Sequence, residues 1–178
     1  MPDDKNKPSY VPLPVGEEAA GQAPGRGRLP EKRILVVGGG QRTVDAETDP
    51  IGNGRAMSLL FAREGAQIAV ADMDTASANA TVDQIASEGG KAFALTTDIS
   101  DPDQVTAMVT QASGAMGGLD GIVLNVGIGA GMGLEGSTPE LWNQVLDVNL
   151  RGPMLACRAA LPLMEEGGAI LFISSVAS

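Results

Sequence analysis

Residues 36–56 read VVGGGQRTVDAETDPIGNGRA, an apolar pair running into three glycines and, after eleven further residues, into a second glycine pair that opens a helical pattern. Backbone without a Cβ can approach a phosphate closely, and a helix amino terminus offers it unpaired N–H groups and partial positive charge. Gly38 on one side, with Gly52, Asn53 and Gly54 on the other, supplies both parts. The strict spacing G-x-G-x-x-G is not met: from Gly38 it requires glycine at Thr43, and from Gly52 at Met57. The segment 41–51 carries Asp45, Glu47 and Asp49. Those carboxylates repel a phosphate inside a Debye length of roughly 8 Å unless the segment bulges outward, with Arg42 and Arg55 placed to offset part of the field. The alternative is a surface turn that binds nothing.

Outward from this stretch, short apolar runs alternate with helical periods. RILVV (33–37), QIAVAD (67–72), KAFALTTD (91–98), LDGIVLN (119–125) and GAILFIS (168–174) are nearly continuous in apolar residues, as strands buried on both faces are. Between them GRAMSLLFAREG, ASANATVDQIASEG, DPDQVTAMVTQASGAMG and the long TPELWNQVLDVNLRGPMLACRAALPLMEEG have helical spacing. Strand and helix in strict alternation predict right-handed crossovers and an α/β fold with a doubly wound parallel sheet. The ligand crevice of such a sheet lies at the carboxyl ends of its strands.

Composition narrows the partners. The chain has 178 residues, 43% hydrophobic and 19% charged, which is ordinary for one globular domain. A net charge of -10 argues against nucleic acid, which needs a basic groove to displace counterions. With no histidine and a single cysteine, no transition-metal site is expected. The lone Cys157 cannot form an internal disulfide, and no run approaches a membrane span, so a cytoplasmic, non-membrane protein is expected. Residues 1–30 hold six of the eleven prolines and no apolar period, and are expected to be a flexible Pro/Gly-rich arm, or else an arm that docks on a neighbouring subunit. The domain proper is expected over 31–178.

Polar residues recur at the strand ends. The second strand ends at Asp72, about twenty residues after the second glycine pair, where a nucleotide-binding sheet places the acceptor for ribose hydroxyls. The alternative for Asp72 is a helix cap near Thr75. The third strand ends at Asp98, and the fourth at Asn125-Val126-Gly127. In the long helix, Thr138 and Pro139 form a good start, and Pro153 removes the N–H that the Asn149 carbonyl would accept. A kink is expected there.

These residues together resemble a short-chain dehydrogenase/reductase over about 31–178. The resemblance rests on Gly38…Gly52-Asn53-Gly54, Asp72, Asp98, LNVG (124–127), DVNLRG (147–152) and ISS (173–175). The family's usual turn is G-x-x-x-G-x-G, so the thirteen residues between Gly38 and Gly52 represent ten extra. The resemblance implies a Rossmann-like sheet in the order 3-2-1-4-5 and a dinucleotide cofactor. By it, Asp72 binds the adenosine ribose, Asp98 and its neighbour Ile99 the adenine edge, and Asn125 and Gly127 line the cofactor beside the fourth strand. A carboxylate at Asp72 favours a plain ribose over a 2′-phosphate, so NAD is expected ahead of NADP. The resemblance further implies that Asn149 holds a water in a proton relay and that Ser175 hydrogen-bonds the oxygen of a small alcohol or ketone substrate.

The family's acid/base is a tyrosine in a Y-x-x-x-K helix about a dozen residues beyond that serine, whereas this sequence runs to Ser178 and its only tyrosine is Tyr10, with Pro14 where the lysine would stand. The expectation is therefore an oxidoreductase of this type represented by its amino-terminal portion, inactive as 178 residues and a homo-oligomer in full-length form. A non-catalytic dinucleotide-binding module or truncated pseudoenzyme is the alternative. A methyltransferase-like domain shares the glycine turn but gives no reason for Asn149 and Ser175.

Overall fold

The apolar runs at the centre of the sheet become strands with both faces covered, whereas the last strand is largely exposed. The computed structural model describes residues 17, 23–41, 51–129, 131 and 133–175. Its elements run β1 (Arg33–Val37), α1 (Asn53–Arg63), β2 (Gln67–Asp72), α2 (Thr75–Ser87), β3 (Lys91–Thr96), α3 (Pro102–Met116), β4 (Leu119–Leu124), α4 (Pro139–Leu146), a π-helical turn (Asp147–Arg151), α5 (Gly152–Ala160), a 3-10 turn (Leu161–Leu163) and β5 (Met164–Phe172). All strands are parallel, in the order β3-β2-β1-β4-β5, as the sequence predicts.

Alternate residues of each strand feed opposite cores. Leu35, Val37, Ala69 and Ala71 face Val105, Met108 and Val109 of α3 and Ala156 and Ala160 of α5. Ile34, Val36, Ile68 and Val70 face Leu59 of α1 and Ala78 and Ile85 of α2. The chain therefore switches sides of the sheet between β1 and β4, which is where an open parallel sheet forms its crevice. The helix starts are set by side chains. Asp74 and Asp101 accept two backbone N–H groups each at α2 and α3, and Thr138 accepts that of Leu141 at α4.

Several expected boundaries move. The third and fourth strands end at Thr96 and Leu124, so Asp98 and Asn125 stand on the loops beyond them. The helix expected to continue to residue 167 stops at Ala160, because Pro162 cannot supply the N–H that would continue it. The last strand accordingly starts at Met164 rather than Gly168, pairing Met164 with Leu119 and then, across an irregularity opposite Asp120, Ala169 with Gly121. Gly167 permits this bulge at φ +87°. The kink expected at Asn149 is a π-helical turn, in which the Gly152 N–H reaches the Asp147 carbonyl.

At its carboxyl end the expected arm is hydrogen-bonded to the domain. The Glu64 side chain, at the end of α1, accepts the Arg26 N–H at 3.1 Å, the Arg28 N–H at 2.9 Å and Arg28 Nη2 at 2.8 Å. Leu29 N–H donates to the Glu64 carbonyl and Glu31 N–H to that of Gly65. Residues 26–30 are thus strapped to their own domain, by a carboxylate that composition alone does not reveal. Residues 1–16 and the acidic stretch 42–50, with Arg42, Asp45, Glu47 and Asp49, lie outside the described residues. Among the described residues no helix is long and apolar enough to cross a membrane.

Candidate dinucleotide site

The turn after β1 is built by steric necessity. Gly38 sits at φ +77°, and a Cβ there would lie 3.0 Å from Val126 Cγ1 and 3.1 Å from the Asn125 carbonyl group. Gly54, in the first turn of α1, is closer still: its Cβ would fall 1.8 Å from the Gly38 carbonyl oxygen. Asn125 Nδ2 donates to that same oxygen at 2.9 Å, and the Asn125 N–H donates to the Val37 carbonyl at 2.9 Å. Three of the expected site residues, Gly38, Gly54 and Asn125, are therefore one packed unit across the β1–β4 switch point.

Helix α1 begins at this unit with no side-chain cap. The N–H groups of Asn53, Gly54 and Arg55 have no partner within the helix, and they carry the positive end of its dipole. Gly52 precedes them in ordinary extended backbone, φ -67° and ψ 146°. Among the described residues, a Cβ on Gly52 would meet nothing nearer than Gln41 Cγ at 3.7 Å, an ordinary contact.

Asp72, at the end of β2, accepts the Gly40 N–H on Oδ2 at 3.0 Å and the Asp74 N–H on Oδ1 at 3.1 Å. The cap of α2 is Asp74, which removes capping as the role of Asp72. Beside it, Ser77 Oγ accepts the Gln41 N–H and donates to the Gln41 carbonyl, and Thr81 Oγ1 donates to the Gly39 carbonyl at 3.1 Å. Gln41, Ser77 and Thr81 were not among the sequence-derived candidates. Their signal is that Ser77 and Thr81 stand one turn apart on the face of α2 that also buries Ala78. Arg55 donates from Nε and Nη2 to Gln84 Oε1.

On the far side of β2, Asp98 Oδ1 closes a tight turn by accepting the N–H and hydroxyl of Ser100 at 2.9 and 2.7 Å. Ile99 is buried in the α3/α5 core. A Cβ on Gly152 would lie 2.4 Å from the Ile99 carbonyl oxygen, so the start of α5 rests directly on this loop.

The π-helical turn brings Asn149 to the end of β4. Its Oδ1 accepts the Ile128 N–H at 2.8 Å and its Nδ2 donates to the Ile128 carbonyl at 2.9 Å. A Cβ on Gly127 would be 3.8 Å from Asn149 Oδ1, an ordinary contact. Ser175 lies exposed past the end of β5, whose path continues along β4 through the Ile173 N–H donated to the Leu124 carbonyl. The strongly shifted carboxyls lie elsewhere: Glu64 beside Arg28, and Asp120 beside Arg33, are each held down to about 2. A cleft of about 380 Å³ bordered by Glu31, Arg33, Gln67 and Lys91 opens at the amino ends of the strands, opposite the glycine turn.

Residues 49–178 match the family model described as Enoyl-(Acyl carrier protein) reductase. A short chain dehydrogenase of Pseudocercospora fijiensis is 37% identical over 156 residues, covering 85% of this chain and 47% of that protein. The Mycobacterium tuberculosis protein named "Probable oxidoreductase EphD" is 35% identical over 156 residues, covering 86% of this chain and 25% of its own length. Among solved structures, a short chain dehydrogenase from Burkholderia cenocepacia in complex with NADP superposes with a TM-score of 0.74 at 32% identity, covering 84% of this chain and 57% of that one. The chain thus spans about half or less of the length of the curated relatives named here.

Proposed function

Since the chain belongs to the short-chain dehydrogenase/reductase family, we propose that it is the dinucleotide-binding part of an oxidoreductase that exchanges a hydride between a nicotinamide dinucleotide and a small alcohol or ketone. The observation that carries this reading is the junction of the Gly38–Gly54–Asn125 unit with the uncapped start of α1. The residues fit such a group: the helix end presents N–H groups that have no side-chain cap among the described residues, and at Gly52 the described residues leave room for close approach to the backbone. When bound, the nicotinamide supplies the hydride donor or acceptor.

The chain's own residues have separable tasks. The N–H groups of Asn53, Gly54 and Arg55 receive the pyrophosphate. Asp72 keeps lone pairs for the adenosine ribose hydroxyls while it holds Gly40, and its negative charge disfavours a 2′-phosphate, so NAD is preferred over NADP. Asp98 and Ile99 border the adenine, and Asn125 and Gly127 the nicotinamide side. Asn149, clasped to Ile128, has no helical N–H available for its carbonyl at Pro153 and supports proton transfer through water. Ser175 orients the substrate oxygen. Among these 178 residues no lysine stands four after Tyr10, so the proton donor of the family's Y-x-x-x-K pair is not supplied by them. We expect them to bind the cofactor in the cytoplasm without turning over a ketone.

Self-association is part of the same reading. Trp142, Leu146, Leu150 and Met154 form an exposed apolar row at spacings of four along α4, the π-helical turn and α5. The test of the central reading is fluorescence titration with NADH and NADPH, in which saturable binding supports it. A chain that binds neither removes it. A non-catalytic binding module is the second reading; NADH oxidation by the protein carrying its natural downstream sequence distinguishes the two.

A further inference from the structure

The ten-residue interruption of the glycine turn poses a physical problem that the described residues on either side of it answer. In a flexible chain the closure term makes ends separated by thirteen residues meet about tenfold less often than ends separated by three. The two halves of the anion site, Gly38 and the start of α1, are separated in this way. Yet Gly52 N–H donates to Gln41 Oε1 at 3.2 Å, so the last described residue before 42–50 is hydrogen-bonded to the helix start just after it. The Gln41 side chain also lies along Gly52, with Cγ 3.7 Å from where a Gly52 Cβ would be.

Gln41 is itself fixed. Its N–H and carbonyl are both engaged by Ser77 Oγ, and the two residues before it are held by Asp72 at the Gly40 N–H and by Thr81 at the Gly39 carbonyl. Three successive residues, 39, 40 and 41, are thus pinned to β2 and α2. A Cβ on Gly40 would lie 2.5 Å from Ser77 Oγ and 2.8 Å from Asp72 Oδ2, so the pinning depends on close approach of bare backbone.

We infer that Gln41, anchored by Ser77, is a positioning residue that ties together the two ends of the 42–51 segment and holds the start of α1 in register with the Gly38 turn. This rests on the dinucleotide reading for its consequence but not for its geometry. Gln41 acts by setting the distance between the Gly38 turn and the start of α1. Its importance therefore depends on the length of the segment it spans. Deleting 42–51 gives Gly38-Gly39-Gly40-Gln41-Gly52-Asn53-Gly54, in which a peptide bond replaces the hydrogen-bonded closure.

The experiment compares four proteins: the chain itself, Gln41→Ala, the deletion of 42–51, and the deletion carrying Gln41→Ala. NADH dissociation constants come from fluorescence titration, and exchange of the Gly40 and Gly52 amides from NMR. In the full-length turn, Gln41→Ala should weaken NADH binding by about three- to tenfold, the worth of one neutral hydrogen bond, and speed exchange at Gly52. In the shortened turn the same substitution should have no such effect. An equal loss at both lengths, or none at either, overturns the inference. If the unmutated chain binds neither NADH nor NADPH, the dinucleotide reading fails separately, and amide exchange decides: faster exchange at Gly52 only when 42–51 is present supports the clasp, and unchanged exchange overturns it.

Discussion

Gly54 stands so close to Gly38 that a methyl group on it would fall 1.8 Å from the Gly38 carbonyl oxygen, which Asn125 also claims. The turn, the helix start and the end of β4 are therefore one rigid object. Gly54→Ala should cost about 1–3 kcal/mol of overpacking strain and abolish dinucleotide binding. Gly52→Ala separates ligand from scaffold: it should cost only about 1 kcal/mol, as a poorer helix cap, yet weaken binding at least tenfold, about 1.4 kcal/mol. Thermal unfolding and NADH titration of both variants check this, and equal loss of stability in the two would contradict it.

Asp72 is tied to the cofactor choice and to the loop at once. Asp72→Ala should narrow the gap between NADH and NADPH affinity and release the Gly40 amide to faster exchange. Asp72→Asn removes the charge but retains an oxygen for that N–H, so it should narrow the gap while Gly40 stays protected. A charge-assisted hydrogen bond is worth about 1.5–3 kcal/mol, which sets the scale of the change. Unchanged Gly40 exchange in Asp72→Ala would show that the carboxylate does not hold the loop.

The central strands were legible because they are buried on both faces and hence continuous in Val, Ile, Leu and Ala, and the glycine turn was legible because Gly38 and Gly54 are demanded by space. The start of β5 was not. Its first residues, Met164-Glu165-Glu166-Gly167-Gly168, carry no strand signal, since the bulge opposite Asp120 leaves all but Met164 exposed. Pro153 announced a disturbance at Asn149, but whether a helix kinks or takes up a π-helical turn is decided by which carbonyl the Gly152 N–H finds. The clasp of Gln41 by Ser77 and the seizure of Arg26 and Arg28 by Glu64 were invisible for a common reason. Each joins a side chain to backbone 36 to 38 residues away in sequence, and no local pattern encodes that meeting.

The acidic segment should be dispensable for binding. Deleting residues 42–51 restores the family's glycine spacing and should leave NADH affinity the same or better. A loss beyond tenfold, about 1.4 kcal/mol, would mean that the segment contributes contacts to the ligand.

Acid should release the amino-terminal strap. The Glu64 carboxyl, held down mainly by the Arg28 side chain and then by the Arg28 N–H, lies at about 2, against 4.5 unperturbed. A lowered carboxyl pKa stabilises the folded form above the unperturbed value and loses that contribution as pH falls through the folded one. Amide protection at Arg26 and Arg28 should therefore hold above pH 4.5 and fade toward pH 2. Glu64→Gln should lower it at neutral pH and flatten the dependence. Unchanged protection in that variant would place the strap's anchor elsewhere.

The central claim, that the Gly38–Gly54–Asn125 unit and the open end of α1 form a nicotinamide dinucleotide site governed by Asp72, is tested most directly by equilibrium fluorescence titration of the 178-residue chain with NADH and NADPH in parallel. The account predicts saturable binding of both, tighter for NADH, with the difference reduced in Asp72→Ala and all binding lost in Gly54→Ala. Failure to bind either dinucleotide, or binding that survives Gly54→Ala, would contradict it.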